Sequence, residues 1–328
     1  NNYLYWLELG NARARFGEAE SAEKALRRAL QLAPNYSAVQ WALGNTILRR
    51  GNPEEAFELF LKAASANPKY GNSAAVTIWQ YLDRDLTQTI AVLERDPALL
   101  DSLIGILAAD KRLDEALFVW ERLDGQGHTS VSPENEKALY AAMIEAKRFR
   151  DAVKILGKLD TDGQKYAADS VTNGDFESPV KTQNASVFDW RIAEGSMPRI
   201  ALTDAQKYSG HLSLLISFGG GEGELFRSIS QTIAVTPGGK YIFQFHSRSE
   251  LKTLAEIKWE IVDAVGRAIV TQVPIAVESP DWTSSQIEFT VPDESDGIEI
   301  RLVRGRCATS GCFAAGNLWL DDVKIGRR

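Results

Sequence analysis

The chain has 328 residues, 44% hydrophobic and 25% charged, with 37 basic against 44 acidic side chains for a formal net charge of −7. That length has room for two ordinary domains with separate cores, and the acidic balance argues against nucleic acid or anionic lipid as a broad electrostatic partner. No apolar run approaches the roughly 20 residues that would cross a bilayer; with no starting Met and no signal peptide, the chain reads as a fragment or processed form whose targeting or anchoring segment lies elsewhere.

Near the N-terminus a register of small and apolar residues repeats every 34 positions: Gly10 recurs as Gly44, Ala22 as Ala56, Leu26 as Phe60, Ala29 as Ala63 and Pro34 as Pro68. A fixed period of this size marks a solenoid of helix pairs. Trp6, Leu9, Ala22, Leu26, Ala29 and Leu30 fall at helical spacings. Gly10, Ala22 and Ala29 are small where two helices must approach, and Pro34 ends the second helix. In the next unit Asn52-Pro53 form a cap and first turn, with Glu54 and Glu55 at the positive end of the dipole.

Trp6, Leu9, Gly10, Ala22, Leu26, Ala29 and Pro34 stand at signature positions of the tetratricopeptide repeat, which this segment resembles over two units. Residues 71–95 read as a degenerate pair, and Asp96-Pro97 and Ser132-Pro133 as helix starts. LDEALFVWERL (113–123) matches FRDAVKILGKL (149–159) at a spacing of 36. The expectation is an all-α helical-repeat domain over residues 1–165, with about five helix pairs, two regular and three divergent.

The resemblance implies that the first helix of each pair lines a groove for a protein or peptide partner. Leu7, Asn11 and Arg15 fall on that face in the first unit, and Trp41, Asn45 and Arg49 in the second. Asparagines at this position bond the peptide backbone in relatives that grip a terminal carboxylate, but Leu7 and Trp41 stand where an accompanying lysine would. Capping and solubilising a helix face is the alternative role for the Asn and Arg residues. Trp41, Trp79 and Trp120 also read as inter-helix packing.

From about residue 170 the pattern changes to alternation of period two, punctuated by Gly, Pro and Asp. Tyr241, Phe243 and Phe245 alternate with Gln244, His246 and Arg248; Ile257, Trp259 and Ile261 with Lys258 and Glu260; Ile298, Ile300 and Leu302 with Glu299 and Arg301. Each strand thus has one apolar and one polar face, as in an antiparallel sandwich. NGDFE (173–177), FDW (188–190), YSGHLSL (208–214), Gln231, TPGGKYIFQFHSR (236–248), Trp282 and WLDDVKI (319–325) together resemble a carbohydrate-binding module. It is of the jelly-roll, galactose-binding-like type found beside bacterial polysaccharidases. The expectation is a β-sandwich over residues 171–328, joined to the repeats by a short linker from about 160 to 171.

That resemblance implies a structural calcium where the first and last strands meet. Glu177 and Asp321 match its ligand positions, carbonyls near Lys207 and Gly210 would complete the shell, and Asp175 and Asp322 are held in reserve. Capping turns or pairing with basic side chains is the alternative. It also implies a polysaccharide partner, hydrogen-bonded by Gln244, His246 and Arg248 and stacked on an aromatic ring such as Trp190. The polar face carries no ring of its own; Phe188, Trp190, Tyr208 and Phe226 lie in loops, while Trp190, Trp282 and Trp319 occupy positions that are usually core. A face that is solvated, or packed against the helices, is the alternative.

Cys307 and Cys312, in CATSGC, could close a small disulfide loop, with free thiols in a turn as the alternative; a disulfide would favour an extracytoplasmic home. His128, His211 and His246 have no ligand spacing, G-x-S-x-G is absent, and GGGEGE (219–224) lacks the Lys-Ser/Thr of a phosphate loop. No enzyme is expected. The expected role is that of a binding or scaffold protein in the periplasm or cell envelope, docking a protein through the repeats and a polysaccharide through the sandwich. The alternative is a purely structural interaction protein whose sandwich packs on and caps the solenoid.

Overall fold

The computed structural model describes residues 2–125, 131–159, 163–222, 226–305 and 313–328. Cys307, Cys312 and His128 lie outside them. The chain divides into two compact units, residues 1–142 and 143–328.

In the first unit α1 (Tyr3–Arg15) pairs with α2 (Ala19–Leu32), and α3 (Ser37–Arg49) with α4 (Pro53–Ala66). The 34-residue register has a steric cause. A Cβ on Gly10 would lie 2.5 Å from Leu26 Cγ, and one on Gly44 would lie 2.7 Å from Phe60 Cε1. Each pair therefore closes onto a bare glycine backbone, over Ala22 and Ala56, both fully buried.

The next helices are α5 (Gly71–Tyr81), α6 (Leu86–Leu93), α7 (Pro97–Ala109) and α8 (Leu113–Gly125). Here the register fails because α5 packs mainly on α7 and only lightly on the short α6. The proline-marked starts are confirmed: the Asn52 Oδ1 accepts from Glu55 N at 3.4 Å and the Asp96 Oδ1 from Ala98 N at 3.0 Å. The helix α9 (Pro133–Glu145) begins beside α7, where Asn135 Nδ2 donates to Asp101 O at 3.0 Å. Trp79 and Trp120 are fully buried, as inter-helix packing requires. No helix among the described residues is long and apolar enough to cross a membrane.

The second unit opens with α10 (Phe149–Leu159) and continues as β1 (Arg191–Ile192), β2 (Arg199–Thr203), β3 (Ser213–Glu222), β4 (Ile229–Ala234), β5 (Lys240–Thr253), β6 (Ile257–Asp263), β7 (Ile269–Pro274), β8 (Glu278–Thr290), β9 (Gly297–Arg304) and β10 (Phe313–Arg327). Two antiparallel five-stranded sheets form, a first in the order β1-β4-β9-β6-β7 and a second in the order β2-β3-β10-β5-β8. Tyr241, Phe243 and Phe245 of the second sheet meet Trp259, Ile261, Ile298 and Ile300 of the first in one apolar core. The in–out alternation holds strand by strand. It does not make one polar face, however, because β5 lies in one sheet and β6 and β9 in the other, so their polar sides point out of opposite sides of the sandwich.

Packing assigns α10 to the sandwich unit, so the composition change near residue 170 is not where the unit begins. Asp296 accepts from Phe149 N at 3.1 Å and from Arg150 N at 3.0 Å, capping the helix from outside its own sequence. The Phe149 ring occupies the space a side chain on Gly297 would fill, 2.3 Å from its ideal Cβ position, and meets Phe188 edge-on at 6.4 Å. Gly297 precedes the inward-facing Ile298, so its missing Cβ points outward. The helix thus covers part of the first sheet's outer face.

Candidate functional site

The outer face of the second sheet is a grid fixed by strand register. His246 stands between Ser284 on β8 and Asp321 on β10; Arg248 faces Trp319; Gln244 faces Gln286 and Lys324. Gln244 Nε2 donates to Ser284 Oγ at 3.3 Å, leaving its carbonyl oxygen available.

A loop before β3 lays an aromatic ring on this grid. Tyr208 stacks on His246 with centroids 3.6 Å apart and planes 10° from parallel, and Trp282, half-buried, lies 6.1 Å from Tyr208. Tyr208 is 48% exposed and His246 only 6%, so the tyrosine ring shows its free side to solvent. Burial pulls the imidazole below its ordinary pKa, with Asp322 and Asp321 opposing.

Two carboxylates hold the loop. Asp321, fully buried, accepts from Tyr208 N at 2.9 Å and Ser209 N at 3.0 Å on one oxygen and from Asp322 N at 2.7 Å on the other. Burial pushes its carboxyl up, against the pull of those N–H groups. Glu177 Oε1 accepts from His211 N at 2.7 Å and Leu212 N at 2.9 Å, which lower its pKa. These are the two residues the calcium expectation rests on. A cation shell needs oxygen donors turned inward, whereas here the same loop turns N–H groups toward both carboxylates. Among the described residues no three His, Cys, Asp or Glu side chains converge to hold a metal. As placed, the pair staples the loop directly.

Trp190 is corrected. It is 2% exposed, stacked at 5.4 Å on Phe176, and its Nε1 donates to Asn173 O at 2.9 Å. It is a core residue and offers no ring face to a sugar. The exposed ring on this outer face is that of Tyr208, whose sequence signal is an aromatic in a loop just before a strand. Trp282, read as a core position, is half-buried beside it.

The first sheet's outer face differs. Arg301 Nε and Nη2 reach Glu260 Oε2 at 3.0 and 2.8 Å. Glu299 takes Arg191 at 3.1 Å on one oxygen and Arg267 at 2.9 Å on the other. Its charges are spent on each other.

In the first unit, Asn11 and Asn45 occupy equivalent turns of α1 and α3, as do Arg15 and Arg49. Asn45 Nδ2 donates to Trp41 O at 2.9 Å. Trp41, half-buried, packs on Phe60 at 4.8 Å and Tyr70 at 5.3 Å, so much of its ring is inter-helix filler. Asn11, Arg15 and Arg49 make no hydrogen bond or ion pair among the described residues. A cavity of about 680 Å³ lies elsewhere, lined by Leu30, Pro34, Leu59, Lys62, Ala66 and Arg95 among others.

Residues 168–309 match the family described as "Carbohydrate binding domain", and residues 3–36 match "Tetratricopeptide repeat". The chain joins a tetratricopeptide repeat to a carbohydrate-binding domain. No curated protein matches it. Among solved structures it is similar to one titled "CBM4 structure and function", at 17% identity and TM-score 0.37, covering 48% of this chain and 99% of that chain. It is also similar to TmCBM61 in complex with beta-1,4-galactotriose, at 19% identity and TM-score 0.33, covering 48% and 96%. A third is a putative sugar binding protein from Bacteroides thetaiotaomicron, at 10% identity and TM-score 0.34, covering 48% and 98%. Both matched families are binding domains, neither a catalytic one, which favours a non-enzyme.

Proposed function

We propose that this chain is a non-enzymatic binding protein whose carbohydrate-binding domain holds a glycan on the outer face of the second sheet, and whose repeats dock a protein partner. One observation carries the glycan reading: the exposed Tyr208 ring, stacked flat on buried His246. A sugar ring has apolar C–H faces and polar edges. The free side of Tyr208 suits the face, and Gln244, Ser284 and Gln286 beside it suit the hydroxyls. A glycan array followed by isothermal titration, with Tyr208→Ala as control, tests this; no binding, or binding indifferent to Tyr208, rejects it.

The protein-docking half rests on the unpaired Asn11, Arg15 and Arg49 with Asn45 at an equivalent turn. Free guanidinium groups one repeat apart suit a peptide bearing carboxylates. Pull-down with wild type against an Arg15→Glu/Arg49→Glu variant tests it; an unchanged partner set removes these residues from the interface. A glycan ligand also supports an extracytoplasmic setting, which fractionation of cells expressing the full-length gene would check.

One observation favours the purely structural reading for the other sheet. There α10 is built into the sandwich, with Phe149 seated on Gly297. The first sheet braces and the second binds.

A further inference from the structure

Three buried nitrogens without a hydrogen-bond partner sit together on the second sheet's outer face: His246 Nδ1, Arg248 Nε and Trp319 Nε1. Arg248 and Trp319 are direct cross-strand partners, with the guanidinium carbon 5.6 Å from the ring centre, and His246 is the next outward residue on β5. Trp319 is 7% and His246 6% exposed. The indole and guanidinium groups can only donate, and a buried donor without an acceptor is costly. Arg191 Nε and Trp259 Nε1 are also unpartnered in the sandwich, on a strand of the other sheet and in the core, whereas these three stand on adjacent positions of one outer face.

The cover over it is slight. Gln206 Oε1 accepts from Arg248 Nη1 at 2.7 Å, and Tyr208 lies over His246. The Gln206 backbone is fixed separately, its carbonyl accepting from Ser213 Oγ at 2.5 Å, so its side chain can swing aside without moving the loop. On the far side Glu250 Oε1 takes Arg248 Nη2 at 3.0 Å, leaving Nη1 to neutral Gln206 alone. A carboxylate accepts from a guanidinium N–H more strongly than a neutral amide does. Arg199, at the β2 edge of the same face, makes no hydrogen bond or ion pair among the described residues.

We propose that Arg248, with Trp319 and His246 behind it, is an acid-reading subsite, and that the glycan bound here carries a uronic acid whose carboxylate displaces Gln206. This rests on the glycan reading of the same face and narrows the ligand to an acidic polysaccharide. The test is isothermal titration of the full chain with oligogalacturonate, oligoalginate and oligoglucuronate, each beside its carboxyl-reduced counterpart. At least one acidic oligosaccharide is expected to bind about tenfold more tightly than its reduced form. Arg248→Gln should erase that margin while keeping affinity for the reduced form, which also reports an intact fold. Gln206→Ala, which removes the incumbent acceptor, should tighten acid binding by about threefold; a merely structural role for Gln206 would not. If reduced forms bind as well as acidic ones, or Arg248→Gln leaves the margin in place, the subsite is overturned and the glycan reading stands. If neither acidic, reduced nor neutral glycans bind, both fall together.

Discussion

The two outer faces of the sandwich are both polar and use their side chains differently. On the first sheet Glu260 is spent on Arg301, Glu299 on Arg191 and Arg267, and Phe149 covers Gly297. On the second an exposed Tyr208 stands over His246, beside Arg248 Nε and Trp319 Nε1, which have no hydrogen-bond partner. What separates the two faces is therefore how their polar groups are paired and covered.

Breaking the first sheet's brace should cost the most. Phe149→Ala opens a cavity over Gly297 and uncovers Phe188, and is expected to lower unfolding free energy by about 3–5 kcal/mol in urea titration. Glycan affinity measured below the transition should be unchanged; a loss under about 1 kcal/mol would mean the helix merely rests on the sheet. Next, Asp321→Asn puts an amide where N–H donors of Tyr208 and Ser209 converge and should cost about 1–3 kcal/mol. Because the platform loop hangs from that carboxylate, binding should fall with it. Intact binding in that variant would show Tyr208 to be positioned by His246 alone. Tyr208→Ala should weaken glycan binding about tenfold or more with little change in Tm.

Acid gives a smaller effect. His246 titrates below its ordinary value of 6.5 because burial disfavours the imidazolium. Its folded form is thus favoured neutral, a contribution complete above pH 6.5 and lost as pH falls through the depressed folded value. Asp321 is shifted the other way, raised by burial, so its contribution is complete at low pH and lost as pH rises. Thermal melts of wild type and His246→Gln from pH 7 to about pH 5 separate the two. The variant should lose less Tm on acidification; parallel curves would mean His246 is reached by solvent protons at no cost. The smallest expected change is Arg267→Ala on the first sheet, whose side chain is 59% exposed. It should shift stability by less than about 1 kcal/mol and leave glycan binding untouched.

Much of this was legible in the residues themselves. Gly10 and Gly44 mark the helix-pair period because a Cβ there would strike Leu26 or Phe60, a constraint carried by short-range sequence. The starts at Asn52 and Asp96 are local side-chain-to-backbone bonds and are equally readable. Strand faces followed from period-two alternation of Tyr241, Phe243 and Phe245. The candidate face was partly legible: the outward position of Gln244, His246 and Arg248 is a matter of strand parity. The ring above it was not, since nothing local says that of several loop rings Trp190 turns inward while Tyr208 stays exposed.

Sequence alone determined the two domain types, their order and the in–out sense of each strand, since helix pairing and pleat alternation are properties of neighbouring residues. Tertiary structure decided three further matters. It divided the polar residues of β5 from those of β6 and β9, because strand order in a sheet depends on pairings between distant segments. It drew α10 into the sandwich, because only folding brings Asp296 and Gly297 to residues 149–150. And it set Tyr208 over His246, because carboxylates at Glu177 and Asp321, far apart in the chain, tie down one loop from both sides.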